Sequence, residues 1–235
     1  KSQRIITVSE SSRADISRDH KVDIEKIHVV PIGIDTDFFA PQVNIDRIKG
    51  RIVSTASADV PLKGQKFLLE AIAKVRDEFP HVHLELVGKQ REGSTTAETL
   101  NQLGLNDIVR FNQGISYEEL VNLLASAEIA IVPSLYEGFS IPAIEALSCG
   151  APLIASTGGA LPEVAGPHLE TCLAVPPGDS EALADQIKYA FQNPELCREI
   201  GIAGRQRVID KWSWRESAIT TAEHCRTLLA NEKAK

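Results

Sequence analysis

The chain has 235 residues, with 25 Lys+Arg against 32 Asp+Glu, a formal charge of -7, 43% hydrophobic and 24% charged residues. A chain of this size buries roughly 70% or more of its unfolded surface, so it needs no disulfide or metal staple, and a disulfide miniprotein or a disordered chain is excluded. The acidity, with no block of basic residues, also excludes a duplex nucleic-acid binder, whose affinity needs a clustered basic face, but leaves room for a localised basic pocket.

Residue 1 is Lys and the chain contains no Met, which reads as a start other than the native one, with preceding sequence removed. The first ten residues hold only the apolar run Ile5-Ile6-Thr7-Val8, too short for a signal peptide or a membrane span. Apolar, β-branched runs at 4–8, 27–30, 51–55, 82–87, 108–111, 128–132 and 151–155 predict strands. Between them lie helical spacings, such as Phe67, Leu68, Ala71, Ile72, Val75 and Phe79, then Leu120, Leu123, Leu124 and Ala127. This alternation predicts right-handed βαβ units and an α/β fold, an open parallel sheet with helices on both faces. After Val175 the strands stop, and 180–192, 194–211 and 214–231 read as successive helices, the second opened by Pro194 after Asn193. A boundary is expected near Ala40-Pro41, because the residues before it make only a strand, a helix and a connector.

Cys149, Cys172, Cys197 and Cys225 form no CxxC pair, which argues against zinc and suits a reducing, cytoplasmic compartment. The histidines lack metal-ligand spacing, so no metal is expected. Trp212 and Trp214 are read as packing for the final helix rather than as platforms for a base.

Open parallel sheets bind ligands at the carboxyl ends of their strands, which points to the loops after Thr55, Val87, Phe111, Val132 and Ala155. The richest follows Val132. It runs Pro133-Ser134-Leu135-Tyr136-Glu137-Gly138-Phe139-Ser140-Ile141-Pro142-Ala143-Ile144-Glu145. Ser140 is expected to cap a helix and Pro142 to sit in its first turn, which would turn Glu137 and Glu145 toward the strand ends. Free amides at that helix start, with a glycine beside them, suit phosphate or sugar hydroxyls. By spacing alone, Glu137 would be an ordinary solvated loop acid and Glu145 an exposed helix acid.

The segment from Glu137 to Glu145, followed by Ala146-Leu147-Ser148-Cys149-Gly150-Ala151-Pro152, resembles the E-x7-E signature of the family 4 (group 1) retaining glycosyltransferases, which have the GT-B fold. Ile6-Thr7-Val8-Ser9-Glu10-Ser11, the stretch from His28 to Phe39, Leu62-Lys63-Gly64, Gly158-Gly159-Ala160-Leu161-Pro162-Glu163-Val164, Val175-Pro176-Pro177-Gly178-Asp179 and Trp212-Ser213-Trp214 are similar to that family in its order. The joint occurrence is far more specific than E-x7-E alone. The resemblance implies that 1–40 is the end of an acceptor domain with its linker, that 41–211 is a Rossmann-like donor domain, and that 212–235 is a helix crossing back to the first domain.

It also implies roles for individual residues. Glu145 would accept hydrogen bonds from the ribose hydroxyls and Glu137 would orient the donor sugar, with the amides of Gly138 and Phe139 beside it. Lys63, next to Gly64, would hold the diphosphate and stabilise it as a leaving group. Gly114 and Ile115 would receive the base. The family usually carries Arg where this chain has Ala58, so Arg91 is the candidate for the second cation. The implied donor is a UDP-, GDP- or ADP-sugar with no further cofactor. The implied acceptor is a glycan, lipid or small molecule bound by the absent domain, which admits peripheral membrane association of the full-length enzyme. On this reading the 235 residues alone are inactive. Same-fold alternatives are a nucleotide-sugar epimerase, a glycogen-type synthase or a non-catalytic nucleotide-binding module.

Overall fold

The protein is described from a computed structural model, which covers residues 4–56, 59–91 and 93–233. The small N-terminal unit pairs β1 (Ile5–Thr7) in parallel with β2 (Ile27–Val29), with α1 (Glu10–His20) between them. The larger unit is a six-stranded parallel sheet. Its strands are β3 (Ile48–Thr55), β4 (His83–Val87), β5 (Val109–Asn112), β6 (Ala127–Val132), β7 (Leu153–Ser156) and β8 (Leu173–Val175), in the order β5-β4-β3-β6-β7-β8.

The central strand β6 shows why the sheet is covered on both faces. Ile129 and Ile131 point into one apolar cluster, with Leu68, Leu69 and Ile72 of α2 (Gln65–Val75). Ala130 and Val132 point into the other, with Leu120 and Leu124 of α4 (Tyr117–Ser126) and Ile144 and Leu147 of α5 (Ile141–Ser148). The two-residue alternation of a strand, carried by apolar side chains at every position from Ile129 to Val132, requires a helical layer on each side. The α4 helix starts at a capping box, in which the Ser116 hydroxyl accepts from the Glu119 amide and the Glu119 carboxylate accepts from the Ser116 amide.

Two short helices, α3 (Thr95–Gln102) and α6 (Leu161–Ala165), have no counterpart in the sequence reading. The first buries Thr96, Thr99 and Leu100, a mostly polar set that carries no apolar period. The second is five residues long and contains a proline. Strand β8 has no counterpart there either: its three residues, Leu173–Val175, contain a single β-branched side chain. Strand β3 begins three residues ahead of the expected Arg51, where Gly50 (φ 78°) and a shift in its pairing with β6 interrupt the pattern.

The chain closes with α7 (Ser180–Gln192), α8 (Pro194–Lys211) and α9 (Trp214–Lys233). Trp212 is buried edge-on against Phe139 at 5.4 Å. Trp214, in contrast, is 59% exposed, so the expectation that both indoles pack holds for the first alone. The residues after α8 also meet the small unit, where the Ile34 amide donates to the Trp212 carbonyl and the Ser217 hydroxyl to the Pro31 carbonyl. Among the described residues no helix is long and apolar enough to cross a membrane.

Candidate active site

The strand order reverses between β3 and β6, which pair side by side although β4 and β5 lie between them in sequence. A crevice opens where the loops leaving such neighbours diverge, and this is where α/β sheets bind ligands. The loop after β3 carries Lys63 at the end of the 3-10 turn Pro61–Lys63, and the loop after β6 carries Glu137. The Leu135 amide donates to the Leu62 carbonyl at 2.8 Å, which ties the two loops together.

Gly64 permits that approach. Its φ is 68°, and a Cβ there would sit 2.0 Å from the Pro133 carbonyl oxygen. Gly64→Ala therefore combines left-handed strain with a backbone clash, and it is expected to destabilise the fold by about 2 kcal/mol or more, measured by urea unfolding. It should also move Lys63, its sequence neighbour, and weaken any ligand that Lys63 holds.

Glu137 is the centre of the crevice. One carboxylate oxygen accepts from the Lys63 ammonium at 2.8 Å and from the buried Ser134 hydroxyl at 2.7 Å. Its backbone is braced by the glycine pair of the next loop, since the Ala160 amide donates to the Glu137 carbonyl at 2.8 Å. A Cβ at Gly158 or Gly159 would come within 2.3 Å of the Leu135 or Glu137 carbonyl oxygen, respectively. The Gly158-Gly159 pair is thus both a turn and a close-packing device.

The helix start after Glu137 differs from expectation. Ser140 occupies the N-cap position of α5, but its φ is 100°, its side chain makes no cap bond, and its buried hydroxyl has no partner among the described residues. The amides of Gly138, Phe139, Ser140 and Ile141 find no main-chain acceptor among the described residues. They leave the positive end of the α5 dipole open toward the crevice.

Glu145, on the first turns of α5, is only 7% exposed. Burial pushes its carboxyl up to about 7. Neither glutamate is therefore the solvated acid that spacing alone would give. Glu145, Glu137, Lys63, Gly138, Phe139 and Ser140 line one cavity of about 490 Å³, which also has walls from Val8, Ile32 and Tyr117.

The remaining expected residues lie apart. Arg91 borders a separate cavity of about 430 Å³, where its backbone amide donates to Asp59 at 3.1 Å. Burial raises the Asp59 carboxyl, but donors from Ser94, Thr96 and the Arg91 amide outweigh it and hold the group below its ordinary range. Gly114 (φ 68°) turns the chain after β5, and the half-buried Ile115 packs on the apolar cluster beside α4 and borders a third depression with Arg51 and Arg110. Ala58 lies outside the described residues. Sequence reading missed Tyr117, 67% exposed at the first position of α4, and Ser134, the second donor to Glu137. A side chain two residues beyond Gly114-Ile115 was the available signal for Tyr117.

Among the described residues no three His, Cys, Asp or Glu side chains gather as metal ligands. Asp35-Thr36-Asp37 has the spacing of a metal-binding acid pair. Asp35 is instead committed to a turn, accepting from the amides of Asp37 and Phe38, each at 3.0 Å.

Residues 38–207 match the family described as glycosyl transferases group 1. The chain is 45% identical over 92% of its length to an MMP alpha-(1->4)-mannosyltransferase from Mycolicibacterium hassiacum, covering 52% of that protein. It is 31% identical over 83% of its length to a GDP-mannose-dependent alpha-(1-6)-phosphatidylinositol monomannoside mannosyltransferase from Mycolicibacterium smegmatis, covering 54% of it. The chain therefore spans about half the length of the curated relatives it matches. A sucrose-phosphate synthase from Thermosynechococcus elongatus superposes with a TM-score of 0.86 at 30% identity, over 98% of this chain and 59% of its own. With its matching segment running through both the Lys63 loop and the Glu137 to Glu145 loop, the chain belongs to the group 1 glycosyltransferases.

Proposed function

We propose that this chain is the donor-binding part of a retaining glycosyltransferase that takes a sugar from a nucleotide-diphospho-sugar. The observation that carries the proposal is the meeting of Lys63 and Glu137 at 2.8 Å in one cavity with the buried Glu145, which has no side-chain partner among the described residues. A cation, an orienting carboxylate and an acceptor for ribose hydroxyls are the groups that a nucleotide-sugar needs. The mannosyltransferase relatives favour a mannosyl donor, with GDP-mannose the first to test. In the proposed reaction the anomeric carbon–oxygen bond to the diphosphate breaks as the acceptor oxygen bonds to the same face. The departing phosphate oxygen takes the acceptor proton. Lys63 stabilises the charge that builds on the diphosphate, Glu137 holds the sugar, and no metal or further cofactor is assigned.

The relatives are about twice as long as the stretch they share with this chain, and we assign acceptor binding to the portion outside the match. The acceptor is proposed to be a glycan, lipid or small molecule. The four free cysteines suit a cytoplasmic location. The decisive experiment is calorimetric titration of the 235-residue chain with GDP, UDP, ADP and GDP-mannose in a chelator-containing buffer. Binding of at least one nucleotide, with a Kd of about 1 μM to 1 mM, is expected. No binding by any of them would overturn the donor assignment, and sugar transfer by these residues alone would overturn the division of labour.

A further inference from the structure

The carbonyl of Gly138 is held by the start of α1. Two hydroxyls meet it there, Ser9 Oγ donating at 2.6 Å and Ser12 Oγ donating at 3.0 Å. A carbonyl oxygen has two lone pairs, so this acceptor is saturated by side chains that lie 129 and 126 residues away in sequence. The peptide unit is planar and trans, and no cis peptide occurs among the described residues. Its N–H must then point opposite to its C=O. Holding the Gly138 carbonyl on α1 therefore turns the Phe139 amide away from α1, toward the cavity that Gly138 and Phe139 line.

Three further features show that α1 is fitted to this loop. The Glu163 carboxylate accepts from the Glu10 amide at 3.0 Å and the Ser11 amide at 3.4 Å, fixing the start of α1 from the donor side. The Tyr136 hydroxyl donates to Asp15, two turns along α1 from Ser9. A Cβ added at Gly138 would lie 3.3 Å from Ser12 Oγ, close enough that the hydroxyl would have to give by a few tenths of an ångström.

We propose that Ser9 and Ser12 are positioning residues, which aim the Phe139 amide at an anionic oxygen of the donor diphosphate, rather than at the sugar beside which the resemblance places it, by fixing the peptide plane between Gly138 and Phe139. The proposal rests on the donor assignment above and adds to it a role for the N-terminal unit. The α1 helix would set the hydrogen-bond donor that the diphosphate meets, so movement of that unit would loosen the diphosphate site while leaving the nucleoside contacts in place.

The test uses the 235-residue chain, titrated with GDP and with GMP. Ser12→Ala removes one donor from a half-buried helix position that tolerates alanine, and it is expected to weaken GDP by about three- to tenfold while GMP stays within about twofold. Ser12→Thr keeps the hydroxyl and should restore GDP binding. Ser9 also caps α1 by accepting from the Ser12 amide at 2.9 Å and is fully buried, so Ser9→Gly is the informative change there. Glycine is tolerated as a helix N-cap, adds no charge and has no hydroxyl to give Gly138. The Ser9→Gly/Ser12→Ala pair should therefore show a larger loss of GDP than Ser12→Ala alone.

An unchanged ratio of GDP to GMP affinity in both variants, or equal loss of the two ligands, would overturn the proposal. The ¹H–¹⁵N cross-peak of Phe139 in the ligand-free chain gives an independent reading. It should shift in Ser12→Ala and return in Ser12→Thr, and an unmoved peak would also overturn the proposal. A wild-type chain that binds neither nucleotide would sink the donor assignment, and the Phe139 peak would still decide the orientation of the peptide.

Discussion

Glu145→Gln is expected to make the ligand-free chain more stable at pH 8 and, in the same protein, to weaken nucleotide binding. Burial holds the Glu145 carboxyl up at about 7 against an ordinary 4.5. A carboxyl whose folded value is raised favours the folded state fully below the unfolded value, and it loses that contribution as pH rises through the folded value. Between about pH 4.5 and 7 the folded protein binds more protons than the unfolded chain, and stability falls with rising pH. Above that window the ionised, unpaired carboxylate costs about 3 kcal/mol, from roughly 1.4 kcal/mol per unit. The neutral amide escapes most of this cost but is itself imperfectly satisfied, so a gain of about 2 kcal/mol at pH 8 and none at pH 4 is the expected result of urea unfolding. Binding should move the other way. An ionised carboxylate accepting from two ribose hydroxyls loses about 1.5–3 kcal/mol when neutralised, or roughly 10- to 100-fold in affinity. Wild-type affinity for guanosine, which has no group that titrates in this range, should rise between pH 5.5 and 8 and the variant's should stay flat. A variant less stable than wild type at pH 8, or one with undiminished affinity, would remove Glu145 from this role.

The same residue shows what the sequence could and could not convey. Strands with apolar residues at every position, such as Ile129, Ala130, Ile131 and Val132, announce a sheet covered on both faces, because the pattern is local. The meeting of Lys63 and Glu137 across 74 residues is not local. It was reachable only through resemblance to a family in which both loops recur, and the strand order of the sheet now explains it. Ser140 was misread because composition favours serine as a cap, whereas its backbone at φ 100° turns the side chain to a place where no cap bond can form. Ser9 lies in a block similar to the family and Ser12 just beyond it, yet nothing in their neighbours shows that their hydroxyls would share one carbonyl of a distant loop. Tyr117 was hidden by an ordinary helix start, since Ser116 and Glu119 form a complete capping box around it.

Lys63→Ala is expected to separate the diphosphate from the nucleoside. Lys63 and Glu137 side chains are 20% and 11% exposed, so the pair is largely withdrawn from water without being sealed from it. Removing the ammonium leaves the Glu137 carboxylate with the Ser134 hydroxyl as its remaining side-chain donor among the described residues. Breaking a fully buried pair costs about 3–5 kcal/mol, and the partial exposure here reduces the expected loss of stability to about 1–3 kcal/mol. A nucleoside diphosphate should bind roughly 10- to 100-fold more weakly, because a charge-assisted contact to an anion is lost, while the nucleoside should change by less than about twofold. Two causes are mixed in that variant: the missing cation and the orphaned carboxylate, whose negative charge also repels the ligand. Lys63→Ala/Glu137→Gln separates them. The double variant removes the orphaned charge, so it should recover most of the stability lost in the single change. It still lacks the cation, so diphosphate affinity should remain at least about tenfold below wild type. Recovery of diphosphate affinity in the double variant would mean that Lys63 serves to neutralise Glu137 and does not hold the donor. Equal weakening of nucleoside and diphosphate would mean that the whole crevice had shifted, and would take the leaving-group role away from Lys63.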